Sequence, residues 1–458
     1  MLPLKITKCA GEQAAKTCEP HGLPKLRILW MFKPDRRYGM EHGGHLRVFN
    51  WTSRLISQGH EVYLAVRKER ADNVIEERAY LAGLREQKII TGYLEVEYQH
   101  PRLRGKLARL AIHPKLVNYL LRQAQSPTKI AVQNFVAGKQ IDVCIFMDRH
   151  LLYVLPGVKD SVRTIADWVD CYVLYQLRQL PIHLKRRQLT AGLVALRQLY
   201  IAFFEERYYG RCCTANTLAS LVDKKYLDRI NGAPSKNHLL LNGVKRQEAA
   251  APVEKIKHRI IFTGNMDFPP NYESAIWFID HVFPLLRQRL SGVRLVIAGA
   301  NPVKELAARA GEQIEITGYV EDMRHEIAKS ALYVAPLICG GGFKNKVVEA
   351  LTSGTFVVAT EMAIEFLNPN VREHLLIGDT PEELIEAILT YFENPQKFDS
   401  RLEMLKRVVE EEFSWETKTR ELLQLIYGLP QIANDSTRSG ALTPTPQTGF
   451  SGPQGAGA

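Results

Sequence analysis

The feature that most constrains this chain is a rhythm that runs twice. Short apolar runs that read as strands alternate with longer stretches of helical apolar spacing, first over residues 25–243 and again over 259–379. Strand–helix–strand alternation predicts a parallel sheet with crossover helices. The first run offers strands at "KLRILWMF", "HEVYLAV", "QIDVCIFM", "VRTIADWV", "CCTAN" and "HLLLNGV", with helices over 45–57 and 172–209. The second offers "RIIFTGN", "VRLVIAG", "IEITGYV", "ALYVAPL", "TFVVAT" and "HLLIGD", with helices at 272–290, near 305 and 327, and after the glycines 340–342. Residues 245–257, "KRQEAAAPVEKIK", are polar and Ala-rich and read as a linker. A chain of 458 residues also exceeds what one core usually serves. The expected fold is α/β, with two tandem doubly wound Rossmann-like domains facing across a cleft. The expected division is a disordered N-terminus (1–24), an N-terminal domain (25–244), the linker, and a C-terminal domain (258–430) ending in helices over 381–427. The remainder, 431–458, is rich in Ser, Thr, Gly and Pro and reads as a disordered tail.

No run of about 18 apolar residues occurs, and residues 1–22 lack the apolar core of a signal peptide. The seven cysteines form no CxxC pair. Reduced thiols in a cytoplasmic setting are therefore expected, and no metal site. The formal net charge of +11 is concentrated in places. Residues 101–124 hold six Lys or Arg and no acid, at helical apolar spacing. Such a stretch suits an anionic membrane surface, or else a solvated face packed on a core. "LKRRQ" (184–188) adds a smaller patch. No nucleic-acid motif accompanies the charge, so nucleic acid is not an expected partner.

The site candidate is "PLICGGGFKNKVVEALTSGTFVVAT". Gly340, Gly341 and Gly342 follow a predicted strand and lead through Lys344 and Lys346 into a predicted helix. Glycines let a ligand approach the backbone, and free amides at a helix start bind anions. Cations at a helix start are unfavourable, so two lysines there point to an anion between them. Lys346 and Glu349 share a helix face. A lysine for a diphosphate and a carboxylate for ribose hydroxyls would suit a nucleotide diphosphate. A Gly-rich turn with a solvated Lys–Glu pair is the alternative.

"GGGFKNKVVEALTSGTFVVAT" resembles the donor-site signature of group 1 glycosyltransferases, the retaining family with the GT-B fold, and within it the sugar transferases of bacterial exopolysaccharide systems. "FTGNMDFPPNYESAIWFIDHVFPLL", "EHGGHLRVFNWTSRLISQGHEVYLAV", "IADWVD" and "LNGV" resemble further segments of that subgroup. The likeness runs over roughly 25–427 and is looser over 69–166. It implies a retaining, metal-independent transfer of a hexosyl group from a nucleotide-sugar to a glycan or lipid-linked acceptor, with no cofactor. Glu349 matches the last glutamate of the family's Glu-x7-Glu motif, which holds the donor ribose. The first stands at 341, and here it is Gly341. Contacts to the donor sugar then fall to the amides of Gly341, Gly342 and Phe343. The Arg and Lys that many members place after the first strand of the second domain are absent from "GNMDFPPNY", around Gly264 and Asn265. Lys344 and Lys346 stand in for them.

Gly43 and Gly44 match the N-terminal loop that approaches the donor phosphates. His42 and His45 flank them and are expected to be solvated. His150, in "MDRH", is a candidate contact to the transferred sugar. Asp167 and Asp170 end another strand, and Asp170 either orients a substrate or caps a helix. Two other enzymes are alternatives. A sugar-nucleotide epimerase needs a placed acid and base, and no pair stands out. A dinucleotide-dependent dehydrogenase needs GxGxxG after a strand, and Gly39, Gly43 and Gly44 have the wrong spacing. A non-catalytic nucleotide-sugar-binding protein also remains open, given Gly341.

Overall fold

In the computed structural model the described residues are 23–34, 43–68, 74–97, 127–185, 189–244 and 253–431. The basic segment 101–124, His42, most of "LKRRQ" and both expected tails, apart from their innermost residues, lie outside them.

The first sheet holds seven strands: β1 (Arg27–Met31), β2 (Glu61–Arg67), β3 (Gly92–Val96), β4 (Val143–Phe146), β5 (Arg163–Val169), β6 (Ala215–Leu218) and β7 (Asn237–Leu239). Their order is β3-β2-β1-β4-β5-β6-β7, and every pairing is parallel. β1 sits centrally, with Leu29 opposite both Tyr63 and Cys144. The second sheet holds β8 (Ile256–Thr263), β9 (Arg294–Ala298), β10 (Ile314–Gly318), β11 (Ser330–Ala335), β12 (Val357–Ala359) and β13 (Leu376–Ile377), all parallel, in the order β10-β9-β8-β11-β12-β13. Helices cover both faces of each sheet, so central strands such as β4 and β11 are buried throughout and read as continuous apolar runs.

Chain order reverses between β1 and β4 in one sheet and between β8 and β11 in the other. Loops leaving the carboxyl ends of those strands diverge there and open a crevice, the place where such sheets take ligands. Both crevices meet in the cleft between the domains.

Three details depart from the sequence reading. β3 lies at a sheet edge and is only half-buried, so its "GYLEV" carries no strong alternation and was not anticipated. The helix expected over 272–290 begins at Pro269, where proline's missing donor costs nothing, and passes through a π turn at Phe278–Val282, just before Pro284. Most consequential, the last helix, Trp415–Gly428, expected in the second domain, packs on the first. Trp415 meets Trp51 edge-on at 6.0 Å, and Trp51 stacks on Trp30 at 5.8 Å. The chain leaves the first domain at Val244 and returns at Ser414, and the two crossings are tied together by the Val244 amide to the Phe413 carbonyl at 2.6 Å.

Candidate active site

Four segments converge on the cleft. The first is the start of helix Gly43–Ser57, after β1. A Cβ on Gly44 would come within 2.9 Å of Met147 at the end of β4, so glycine lets this helix sit close to the switch point. His45 is not solvated as expected. It lies inside the helix, buried edge-on against Phe32 at 5.4 Å and near Phe49 at 5.7 Å.

The second is the exit of β5. Val169 sits at φ 62°, a left-handed conformation that a β-branched residue adopts only under constraint. The turn directs Asp170 toward the other domain. Asp170 caps no helix here, for the next helix begins at Tyr172. Asp167, two residues before the turn, is occupied elsewhere. Its carboxylate receives both Nε (2.9 Å) and Nη2 (3.0 Å) of buried Arg47, together with the Thr217 hydroxyl. His150 leaves the neighbouring strand β4 on a short 3-10 turn. Its amide is held by Asp148 and the residue is exposed.

The third is the glycine loop after β11. Gly340 and Gly342 have φ of 109° and 68°, which confines both positions to glycine. Residues of the first domain hold this loop. Arg178 donates to the Gly340 carbonyl (2.6 Å) and makes a two-pronged ion pair with Glu365 (2.8 Å each). Asp223 accepts the Gly342 amide at 2.9 Å. That amide, offered by the sequence to the donor sugar, is therefore engaged across the cleft. Tyr172, Tyr175 and Phe268 extend the junction as a stack of near-parallel rings, at 5.5 and 6.5 Å.

The fourth is helix Asn345–Thr352. The sequence offers Lys344 and Lys346 together, but their surroundings differ. Lys344 is buried and turned inward. Its ammonium donates to the carbonyls of Gly341 (2.6 Å) and Gly342 (2.8 Å) and lies 3.9 Å from Glu365. Burial lowers its pKa, with Glu365 acting the other way. Lys346 reaches instead to the exit of β8. It donates to Asn271, lies 4.8 Å over the Phe262 ring, and stands beside Gly264. Burial, and secondly Lys344, push its pKa down to about 7. Asn271 also donates to the Asn265 carbonyl at 2.8 Å, which fixes that loop under the lysine. Glu349 lies one turn further on and raises the Lys346 pKa in part, so the two sense each other. Phe343 packs on Phe366 at 4.4 Å and anchors the loop to the second core.

The structure thus brings together Gly264, Asn265, Lys346 and Glu349 on the second domain, and Asp170 with Gly341 and Gly342 across the cleft. His150 stands apart from Asp170 in character, exposed where Asp170 is half-buried. Arg178, Asp223, Asn271 and Glu365 were missed. None lies in a glycine motif, and each earns notice only through long-range contacts. Among the described residues, no group of three or more His, Cys, Asp or Glu is arranged to hold a metal, and no helix is long and apolar enough to cross a membrane.

Two parallel-sheet domains with a ligand cleft between their carboxyl edges define the GT-B class. Solved structures of that class superpose over nearly the whole chain. HepE of Anabaena, solved with UDP and glucose, covers 88% of this chain and 100% of its own at TM-score 0.58 and 14% identity. The glycosyltransferase from Rickettsia africae covers 90% and 100%, at 0.57 and 14%. Sucrose-phosphate synthase from Thermosynechococcus elongatus covers 88% and 98%, at 0.60 and 13%. Within the class, the resemblance to group 1 glycosyltransferases holds for the second domain, where residues 257–394 match the family described as "Glycosyl transferases group 1". A curated relative, an uncharacterized 44.6 kDa protein in the cps region of Klebsiella pneumoniae, is 26% identical over 144 residues, 30% of this chain. The match spans only 37% of that relative's length.

Proposed function

We propose that this protein is a retaining glycosyltransferase that moves a sugar from a nucleotide-diphosphate sugar to an acceptor hydroxyl during glycan or exopolysaccharide synthesis. The observation that carries the reading is Lys346. Its ammonium stands at a helix start, between Gly264 and Asn271, over the switch point of the second sheet. A diphosphate there meets a cation and free amides as its leaving charge develops, an electrostatic contribution to catalysis. Glu349 accepts hydrogen bonds from ribose hydroxyls one turn away. No protein nucleophile is required if the acceptor attacks on the face from which the leaving group departs, and no step of this reading uses a metal or cofactor. Asp170 lies opposite, on the first domain, where it orients the donor sugar or the acceptor. His150, exposed on the turn beyond the carboxyl end of β4, contacts the transferred sugar from that side.

UDP and glucose in HepE, and the cps region of the Klebsiella relative, favour a uridine donor and a polysaccharide acceptor as first choices. The acceptor is a glycan or a lipid-linked glycan, reached at the cytoplasmic face of a membrane. Residues 101–124 dock that anionic surface. In that case the protein pellets with anionic vesicles, releases at high salt, and does not pellet with neutral ones.

The test is a thermal-shift panel of UDP-, GDP-, ADP- and dTDP-sugars, since a ligand of the folded state alone raises its stability. NMR of the donor incubated with and without acceptor follows. Transfer with the anomeric configuration kept supports the reading. Conversion of the donor alone indicates an epimerase, and binding without turnover a non-catalytic protein. Glu349→Ala is expected to stay folded and to lose about tenfold or more in donor affinity, from a charge-assisted hydrogen bond of roughly 1.5–3 kcal/mol. An unchanged Kd by calorimetry removes Glu349 from the site.

A further inference from the structure

Gly341 and Gly342 face two carboxylates of the first domain. A Cβ on Gly341 would lie 3.3 Å from Asp223 Oδ1, and one on Gly342 would overlap Asp170 Oδ1. The space that side chains of the loop would fill is thus occupied from the other domain.

Asp223 is fully buried near the start of helix Leu221–Asn231. Ser220 caps that helix by accepting the Asp223 amide at 3.1 Å. A Glu or Gln at this third position can reach back to the amide of its own cap. Asp223 turns outward instead. Oδ1 accepts the Cys171 amide at 2.8 Å, just after Asp170, and Oδ2 accepts the Gly342 amide at 2.9 Å, with the Ser220 hydroxyl donating beside it. One carboxylate therefore fixes the Asp170 turn and the glycine loop relative to each other. The Asp170 carboxylate accepts no hydrogen bond among the described residues, which leaves it available to a ligand.

We infer that Asp223 is a positioning residue for the transfer reaction: it ties the Asp170 turn of the first domain to the glycine loop of the second, so that the donor site is complete only when the two domains are closed. The inference rests on the transferase reading. A loop with two left-handed glycines has much freedom to lose, and external ties must hold it. Lys344 holds its carbonyls, Arg178 holds Gly340, and Asp223 holds the amide between them. The electrostatics agree. Burial raises the Asp170 pKa, and Asp223 is the next cause. Lys344 and Arg47 act the other way, and Asp167 adds to the rise.

A reciprocal exchange tests this. Gly341 does not have a left-handed φ, so its backbone accepts glutamate. Gly341→Glu alone brings a third carboxylate against Asp170 and Asp223, and transfer is expected to fall on the order of 10²-fold, as for a site misplaced by about 1 Å. Asp223→Ala alone is expected to lower kcat at least about tenfold with a smaller change in KM. The double variant is expected to recover at least about tenfold over Gly341→Glu. Losses that merely add overturn the inference. Asp223→Asn keeps the shape but can accept only one of the two backbone amides, so it is expected to lower kcat more than it changes KM. Hydrogen exchange of residues 338–344 without any substrate is the independent readout. It should quicken in Asp223→Ala. If no donor is turned over yet exchange quickens and the double variant restores it, the loop role stands and the transferase reading falls. If transfer is observed and Asp223→Ala leaves kcat and exchange unchanged, the inference falls alone.

Discussion

Lys346→Ala is expected to lower kcat on the order of 10²-fold and to weaken donor binding, with little change in melting temperature. The size is that of removing one preorganised group aimed at developing charge. Both parameters fall if, as proposed, the lysine meets the diphosphate in the ground state and more strongly as it leaves. Lys344→Met is expected to behave in the opposite way. Its ammonium is buried under the carbonyls of Gly341 and Gly342, so its loss strands two acceptors at roughly 1–3 kcal/mol each and lowers the melting temperature first. Kinetics and thermal denaturation of the two single variants therefore separate an anion ligand from a loop staple. Full activity in Lys346→Ala would remove the anion site.

The pH dependence follows from the same ammonium. In the free protein Lys346 loses its proton as pH rises through about 7. A bound diphosphate favours the charged form and raises that value. At pH 8 the free lysine is mostly neutral, so binding must take up nearly a full proton, and donor affinity declines as pH climbs above 7. Calorimetry in two buffers of different ionisation enthalpy reads the proton directly. Lys346→Ala should show no uptake.

What was legible in the sequence divides along local and non-local lines. Both parallel sheets announce themselves because strands such as "VCIF" and "SALYVA" are buried on both faces and need unbroken apolar runs. Gly340, Gly342 and the helix behind them are a local signal, set by two left-handed backbone positions a few residues from the lysines. The pairing of Lys346 with Asn271, 75 residues away, leaves no trace in spacing. Nor does the tie from Asp223 to Gly342, which spans 119 residues. The return of Trp415 to the first domain is equally silent, since a helix with an apolar face does not say which core it covers. Half-buried β3 shows the complementary failure, in which an edge position relaxes the alternation that would have revealed it.

The largest effect on stability is expected at Arg47, which the glycine motifs do not reach. Its side chain is fully buried in helix Gly43–Ser57, 4.1 Å over the Trp51 ring. Beyond its two bonds to Asp167 it donates to Asn242 (2.6 Å) and to the Leu240 carbonyl (2.9 Å). One guanidinium thus joins the first helix, the strained exit of β5 and the segment after β7 that leads to the crossing at Val244. Asn242 in turn meets Asn345, the first residue of the Lys346 helix, at 3.3 Å. Removing one partner of a buried pair leaves an uncompensated charge, at about 3–5 kcal/mol. For domains of this size Arg47→Met should lower the melting temperature by roughly 6–20 °C. Arg47→Lys should not rescue it, because a single ammonium cannot reproduce the planar fork that meets Asp167 at two oxygens. The double variant Arg47→Met, Asp167→Val deletes more bonds than Arg47→Met, yet it should be the more stable of the two, since no orphaned carboxylate remains. A double variant that melts lower than the single one would mean that Asp167 is held mainly by Thr217, and that Arg47 stabilises the fold through Asn242 and Leu240 instead.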